Sequence, residues 1–271
     1  MVAVADRVAL TSEPSIEQPA GEWWGADPRY RGYRPISKGI KLDHRVRVAI
    51  DLLPPNARRV LDLGAGDAVV SAALAKAAGA RVGVSLDIGT PPPLCARPGP
   101  ISLVTARLPG PLPFPAGAFD AVVALEVIEH LLDPDEFLDE CIRVLAPGGS
   151  IILSTPRLDS YLIVGSLLLG IQPPGVECSP HKRYGSRFGE DRPSGHVHVF
   201  TKRAMADALA AHGLRIDRYK EGRFSSSWWQ AVRSRKIKAR DLAMAAVFAA
   251  YDVIPFRKDV MVVRAVRAGG S

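Results

Sequence analysis

The chain lacks any run of about eighteen apolar residues, the length a membrane-crossing helix needs. The apolar stretch from Tyr161 to Ile171 is only eleven residues long. Cysteine is scarce: Cys95, Cys141 and Cys178 are too few for a disulfide framework, which suits a reducing compartment. The opening MVAVADRVAL holds Asp6 and Arg7 inside a short apolar stretch and lacks the layout of a signal peptide. Together these absences lead to the expectation of a cytoplasmic protein. No internal repeat is present, so solenoids and propellers are excluded. Acidic residues are thin in one region: residues 181–271 carry 19 Lys and Arg against 8 Asp and Glu, and the remainder 16 against 20. A basic C-terminal third is either a solvated face or a surface for nucleic acid, anionic lipid or an acidic substrate. What remains is ordinary: 271 residues, 47% hydrophobic and 23% charged, suit one large α/β domain or two small ones.

The most informative stretch is Val60-Leu61-Asp62-Leu63-Gly64-Ala65-Gly66-Asp67-Ala68. An apolar run, an acid, two glycines and then a helical pattern predict a strand, a tight turn and a helix N-terminus. That is the seat of a nucleotide-like ligand in an open α/β sheet. Gly64 and Gly66 let the backbone approach the ligand. Val69 stands where a dinucleotide fingerprint has its third glycine, which argues against a nicotinamide or flavin site. Asp62 is placed to face a cationic ligand group. The second strand, 81–86, ends on Asp87, 21 residues beyond Gly66. An acid there accepts the hydroxyls of a ribose, or is simply a turn aspartate.

The remaining chain alternates. Strands are predicted at 59–63, 81–86, 101–105, 121–125, 150–154, 214–219 and 259–266. Helices are predicted at 44–53, 68–78, 134–145 and 202–212, with Asp133 and Thr201 as caps and Pro134 at a first helical position. This alternation predicts a parallel, doubly wound sheet. Residues 1–20 read as a loose arm. The aromatic and basic segment 21–45 is a flap over the ligand or a packing cover. Thr90 to Pro93 is a rigid loop, and 173–195 a long functional one. The basic, Trp-containing stretch 225–251 reads as an amphipathic helix, covering the sheet or lying on an anionic membrane. The run 161–171 is a core helix, a substrate lid or an interfacial anchor.

The segment Val60–Ala68 resembles motif I of class I S-adenosylmethionine (SAM) methyltransferases. Leu112-Pro113-Phe114 followed by Phe119-Asp120 is similar to the approach to strand four in the same enzymes. Glu126-Val127-Ile128-Glu129-His130 resembles the E-V-x-E-H segment of ubiquinone-type O-methyltransferases, and the phrase from Arg143 to Pro156 is family-like throughout. The resemblance is close over 58–158 and loose over 196–222. It implies a Rossmann-like sheet of seven strands with the last antiparallel, within a methyltransferase domain over 46–271. An N-terminal flap over 1–45 and a substrate insertion over 159–200 would complete it. One family feature is missing, the acid that often follows strand three, since Thr105-Ala106-Arg107-Leu108 stands there.

In such a sheet the ligand sits beyond the strand ends, so Asp62, Gly64, Gly66, Asp87, Leu125 and Glu126 are the candidate SAM-binding residues. Methyl transfer from a sulfonium is an in-line displacement, so the protein mainly aligns the acceptor and removes its proton. Glu126, Glu129 and His130 stand at i, i+3 and i+4, and a helical turn would project all three to one side. The resemblance implies Mg²⁺ or Zn²⁺ there. Without metal, His130 acts as general base beside Glu129. In a third reading, Glu126 touches SAM while the other two pack locally. Cys178, His181, His196 and His198 are zinc-type residues in no common finger spacing; one of the histidines lining the acceptor pocket is the nearer reading. The expected acceptor is a small molecule, methylated at oxygen. Alternatives are nitrogen or carbon methylation of a lipid-like or glycan acceptor, with peripheral membrane contact through 161–171 or 225–251. RNA methylation rests on charge alone, and a SAM-binding protein without catalysis is disfavoured by the intact candidate set. The sequence names neither the acceptor nor an oligomeric state.

Overall fold

A computed structural model describes residues 44–89, 101–173, 175–185, 193–222 and 258–269. The expected flap before His44, the loop 90–93 and the helix 225–251 lie outside these residues.

The elements run α1 (His44–Leu52), β1 (Arg59–Leu63), α2 (Val69–Ala78), β2 (Val82–Asp87), β3 (Ile101–Thr105), β4 (Phe119–Leu125), a 3-10 turn (Ile128–His130), α3 (Pro134–Val144), β5 (Leu145–Pro156), α4 (Tyr161–Leu168), α5 (Lys202–Ala211), β6 (Leu214–Gly222) and β7 (Val260–Arg267). Seven strands form one sheet in the order β3-β2-β1-β4-β5-β7-β6. The first five pair parallel, and β7 lies antiparallel between β5 and β6. This is the doubly wound sheet with an antiparallel last strand that the alternation and the resemblance led us to expect.

Alternation along the central strands feeds two cores, one on each face of the sheet. Leu61, Leu63, Val122 and Ala124 join Phe137, Leu138 and Cys141 of α3 and Met205 and Leu209 of α5 on one side. Val60, Ala121 and Val123 join Val48 and Leu52 of α1 and Leu74 of α2 on the other. Helix ends follow the local chemistry. Gly79 closes α2 in the left-handed region and donates its N–H to the last turn, Asp133 caps α3 ahead of Pro134, and Thr201 caps α5. The residues around Leu112 to Asp120 are structural. Phe114 and Phe119 are buried edge to face with centroids 5.0 Å apart. Asp120 accepts from the backbone N–H groups of Arg58 and Arg59 and from the Arg59 guanidinium, tying β4 to the start of β1.

The order of winding reverses between β1 and β4, so their carboxyl ends open a crevice. The glycine loop after β1, Asp87 after β2 and the turn after β4 all reach it.

α5 also docks on α3 through His212, whose Nδ1 and Nε2 face Asp139 and Asp135 at 2.8 and 2.9 Å. The hydrogen bond to Asp135, opposed by burial and seconded by Asp139, raises the imidazole pKa. A raised folded pKa stabilises below the unfolded value of about 6.5, and that stabilisation is lost as pH rises through the folded value. Because both acids are exposed, the effect is under about 1 kcal/mol. The melting temperature of His212→Asn should therefore fall furthest below the parent at pH 5.5, and the gap should close by pH 8.5.

Candidate active site

The glycine loop is shaped by what cannot fit. Gly64 has φ +70, and a Cβ there would come 2.5 Å from Cγ2 of Val127. Its N–H and that of Ala65 both donate to the Leu86 carbonyl, at 2.9 and 3.1 Å. Asp87 secures the other side: Oδ2 accepts from Gly66 N at 2.8 Å and Oδ1 from Ile88 N at 2.7 Å. Burial raises its pKa while these backbone donors pull it down. Each oxygen keeps a lone pair for a further donor. Asp62 is buried, with Oδ2 accepting from Ser71 Oγ at 2.6 Å, and Ser71 reaches Ser85 at 3.1 Å. Burial pushes its pKa up to about 7, Ser71 working against it and Asp87 adding to it. The acid of the loop thus grips the first turn of α2.

At the end of β4, Leu125 is partly exposed and Glu126 takes φ 59, a left-handed conformation unusual for a side-chain-bearing residue. Two bonds hold it there, from Glu126 N to Ser154 O at 3.0 Å and to Ser154 Oγ at 3.1 Å. The Ser154 hydroxyl donates to Glu126 Oε1 at 2.7 Å, and Arg45 lies 3.3 Å from Oε2. The regular turn begins only at Ile128 and lasts three residues. The helical face that was to carry Glu126, Glu129 and His130 together is therefore not formed. Glu126 points to Ser154 and Arg45, whereas Glu129 is buried.

Neither carboxylate oxygen of Glu129 has a hydrogen-bond partner among the described residues, and the Thr155 hydroxyl nearby is not in bonding geometry. Burial first, and Glu126 second, push the Glu129 pKa well above the ordinary carboxylate range. His130 is held down to about 4 by burial and by the adjacent His196, so the imidazole is neutral at physiological pH. Its Nδ1 lies 3.1 Å from the Gly195 carbonyl, and its ring meets that of His196 edge to face at 4.8 Å. A strap produces this pairing. Val197 N and His198 N both donate to Glu129 O, at 2.8 and 3.1 Å. Glu177 in turn accepts from the backbone N–H groups of Ser194, Gly195 and His196. Burial opposes the Glu177 charge, but these donors hold its pKa below the usual value.

Of the zinc-type residues, only His196 joins a ligand-like group. Cys178 and His181 are exposed, and His198 sits 6.4 Å from the Phe200 ring. The 161–171 run forms α4 through Leu168, capped by Ser160; Ile163 is buried, but Leu167, Leu168 and Leu169 are exposed. No helix among the described residues is long and apolar enough to cross a membrane.

Residues 40–219 match a family described as a methyltransferase domain. The chain belongs to it. The protein is a SAM-dependent methyltransferase. It is 37% identical over 100 residues to a probable S-adenosylmethionine-dependent methyltransferase of Mycolicibacterium smegmatis, a match spanning 37% of this chain and 38% of that relative. It is 30% identical over 190 residues to the ubiquinone biosynthesis O-methyltransferase of Psychrobacter arcticus, spanning 58% of this chain and 71% of the relative. Among solved structures, a chain from the complex of a Haloferax volcanii methyltransferase activator with a methyltransferase superposes at TM-score 0.58. Identity there is 18%, covering 90% of this chain and 96% of that one. A SAM-dependent methyltransferase of Mesorhizobium loti superposes at 0.51 with 19% identity, covering 82% and 96%. At these identities the superpositions show the fold.

The crevice of this methyltransferase fits SAM. Gly64 lets the glycine loop pack closely on Val127 of the turn after β4, and Asp87 presents lone pairs beside that loop. SAM supplies the methyl group as an activated sulfonium. The motif-derived metal set does not fit: Glu126 is already engaged by a hydroxyl and a guanidinium, and it does not join Glu129 and His130 as a ligand. Sequence reasoning missed Arg45, Ser154 and Glu177. No local signal marks Glu177, whose partners lie 17 to 19 residues away.

Two outcomes follow. Gly64→Ala should weaken SAM binding at least tenfold and cost about 1–3 kcal/mol of stability, read by calorimetric titration and thermal melts. Asp62 has a folded pKa above its unfolded one, so the folded state binds the extra proton and stability declines from pH 4 to pH 7. Asp62→Asn removes that decline, on the order of 3 kcal/mol by pH 8. Its melting temperature should rise relative to the parent as pH increases, with no such trend if Asp62 titrates normally.

Proposed function

We propose that this methyltransferase moves the SAM methyl group to an oxygen of a small-molecule acceptor. The observation that carries this reading is the neutral His130, packed edge to face on His196 beside the mouth of the SAM crevice. Support from relatives comes from ubiquinone biosynthesis O-methyltransferases that are 26–30% identical to this chain. Gly64, Gly66 and Asp87 cradle the donor, with Asp87 toward the ribose hydroxyls and Glu126 and Leu125 at the strand-four side. The acceptor enters over residues 159–173 and 193–200. Transfer forms an oxygen–carbon bond as the carbon–sulfur bond breaks, S-adenosylhomocysteine leaves, and the acceptor proton passes to a base. The Gly195 carbonyl only accepts hydrogen bonds, so the His130 Nδ1 carries a proton and Nε2 is the basic nitrogen.

A second reading keeps the same chemistry and changes the acceptor's surroundings. Exposed Leu167, Leu168 and Leu169 at the end of α4 favour a lipid-like acceptor met at a membrane surface.

With ¹³C-methyl SAM and metabolite extracts, the label should emerge as a methyl ether, identified by its carbon chemical shift. Label in N-methyl or C-methyl products would overturn the oxygen assignment. His130→Gln should lower kcat by about 100-fold or more while the SAM-induced rise in melting temperature persists. Asp87→Ala should lose that rise. Co-sedimentation with anionic vesicles that vanishes in Leu168→Asp marks the membrane reading, and no co-sedimentation of the parent removes it.

A further inference from the structure

The peptide unit between Gly195 and His196 is engaged at both ends. Its carbonyl lies 3.1 Å from His130 Nδ1, and its N–H donates to Glu177 Oε2 at 3.2 Å. The bond is trans, so the unit is planar, with C=O and N–H pointing to opposite sides. Whatever fixes the N–H end therefore also aims the carbonyl.

Glu177 grips that end through several bonds. Oε2 accepts from Gly195 N at 2.8 Å as well, and Oε1 accepts from Ser194 N. Successive N–H groups converge on one carboxylate because Gly195 takes φ 82, a left-handed conformation that turns neighbouring amides to the same side. The Glu177 side chain is only 6% exposed, and Arg183 Nη2 lies 3.5 Å from Oε1 while donating to Ser194 Oγ at 2.7 Å. Hydrogen bonds to an ionised acceptor are stronger than neutral ones. Two residues upstream, the Gly175 carbonyl lies 2.9 Å from His196 Nδ1. Residues 175–177 thus hold 194–196 by both backbone and ring.

At the other end, a carbonyl cannot donate, so His130 Nδ1 carries the proton and the lone pair stands on Nε2. A free neutral imidazole side chain favours the opposite, Nε2–H form, so this tautomer has to be imposed. We propose that Glu177 is a positioning residue for methyl transfer: through the 195–196 peptide it aims the Gly195 carbonyl at His130 and selects the tautomer whose Nε2 is basic. When Nε2 takes the acceptor's hydroxyl proton, His130 becomes an imidazolium that still donates from Nδ1 to Gly195 O. The fixed negative charge of Glu177 behind that carbonyl favours the imidazolium, and a base oriented by a further group is the usual arrangement. This use rests on the oxygen-transfer reading above; the control of the tautomer does not.

The experiment takes the full-length protein, labelled with ¹⁵N in histidine and bound to S-adenosylhomocysteine. Two-bond nitrogen–proton correlations at neutral pH report the tautomer of each ring, and His130→Gln identifies the His130 signals by their loss. The parent should show His130 as the Nδ1–H form. Glu177→Ala should shift it to the Nε2–H form, and acetate, but not chloride at equal ionic strength, should restore the first. In the ¹³C-methyl SAM assay on metabolite extracts, Glu177→Ala should slow label transfer by about tenfold or more, with the KM for SAM within about twofold. Glu177→Gln, which keeps the size and one acceptor oxygen, replaces Glu177→Ala if the latter loses the SAM-induced rise in melting temperature. An unchanged His130 tautomer in a folded Glu177 variant overturns the proposal. So does a changed tautomer with undiminished transfer. Undiminished transfer in His130→Gln defeats the base assignment instead, and it leaves the tautomer result standing, so the two failures are told apart.

Discussion

The structure around the crevice depends on one close packing contact, that of Val127 on the bare Cα of Gly64. It joins the loop after β1 to the turn after β4, the two strand ends between which the sheet reverses. To reach it, the chain leaves β4 through a left-handed residue at Glu126, a conformation worth about 1–3 kcal/mol of strain. Ser154, from the neighbouring β5, holds that residue at its N–H and at its carboxylate. The strained residue is thus over-determined by its surroundings, as strained positions at functional sites must be. From it, Glu126 is sent toward Ser154 and Arg45, and Glu129 inward.

Four carboxylates crowd this region, and each is handled differently. Asp87 receives two backbone N–H groups, Glu126 a hydroxyl and a guanidinium, Asp62 the Ser71 hydroxyl, and Glu129 nothing among the described residues. Asp62, Asp87 and Glu129 all carry raised pKa values, because burial outweighs the donors that reach them.

The sheet was largely legible in the sequence because its central strands are buried on both faces, and such strands read as unbroken apolar runs. β1 matches the expected 59–63, and β2, β3 and β4 agree within two residues. The ends of α2, α3 and α5 were legible because Gly79, Asp133 and Thr201 act on their own neighbours. Strand order was not readable from periodicity: the resemblance implied only that the last strand is antiparallel, and the structure sets β7 between β5 and β6. The 161–171 run was readable as a helix, but not as one ending in exposed leucines, since an apolar pattern carries no record of what covers it.

Residue order by itself determined the glycine loop, Asp87 at the end of β2 and the acid–histidine segment after β4, because spacing within one βαβ step fixes which groups reach the strand ends. Tertiary structure decided how those groups are used. A single positive φ at Glu126 separates it from Glu129, although three residues in a helix would have kept them on one face. Hydrogen bonds spanning 65 residues or more bring Gly195 to His130 and the 197–198 backbone to Glu129. Local sequence cannot encode such contacts in any readable pattern, because their partners are chosen by the path of a loop and not by a period.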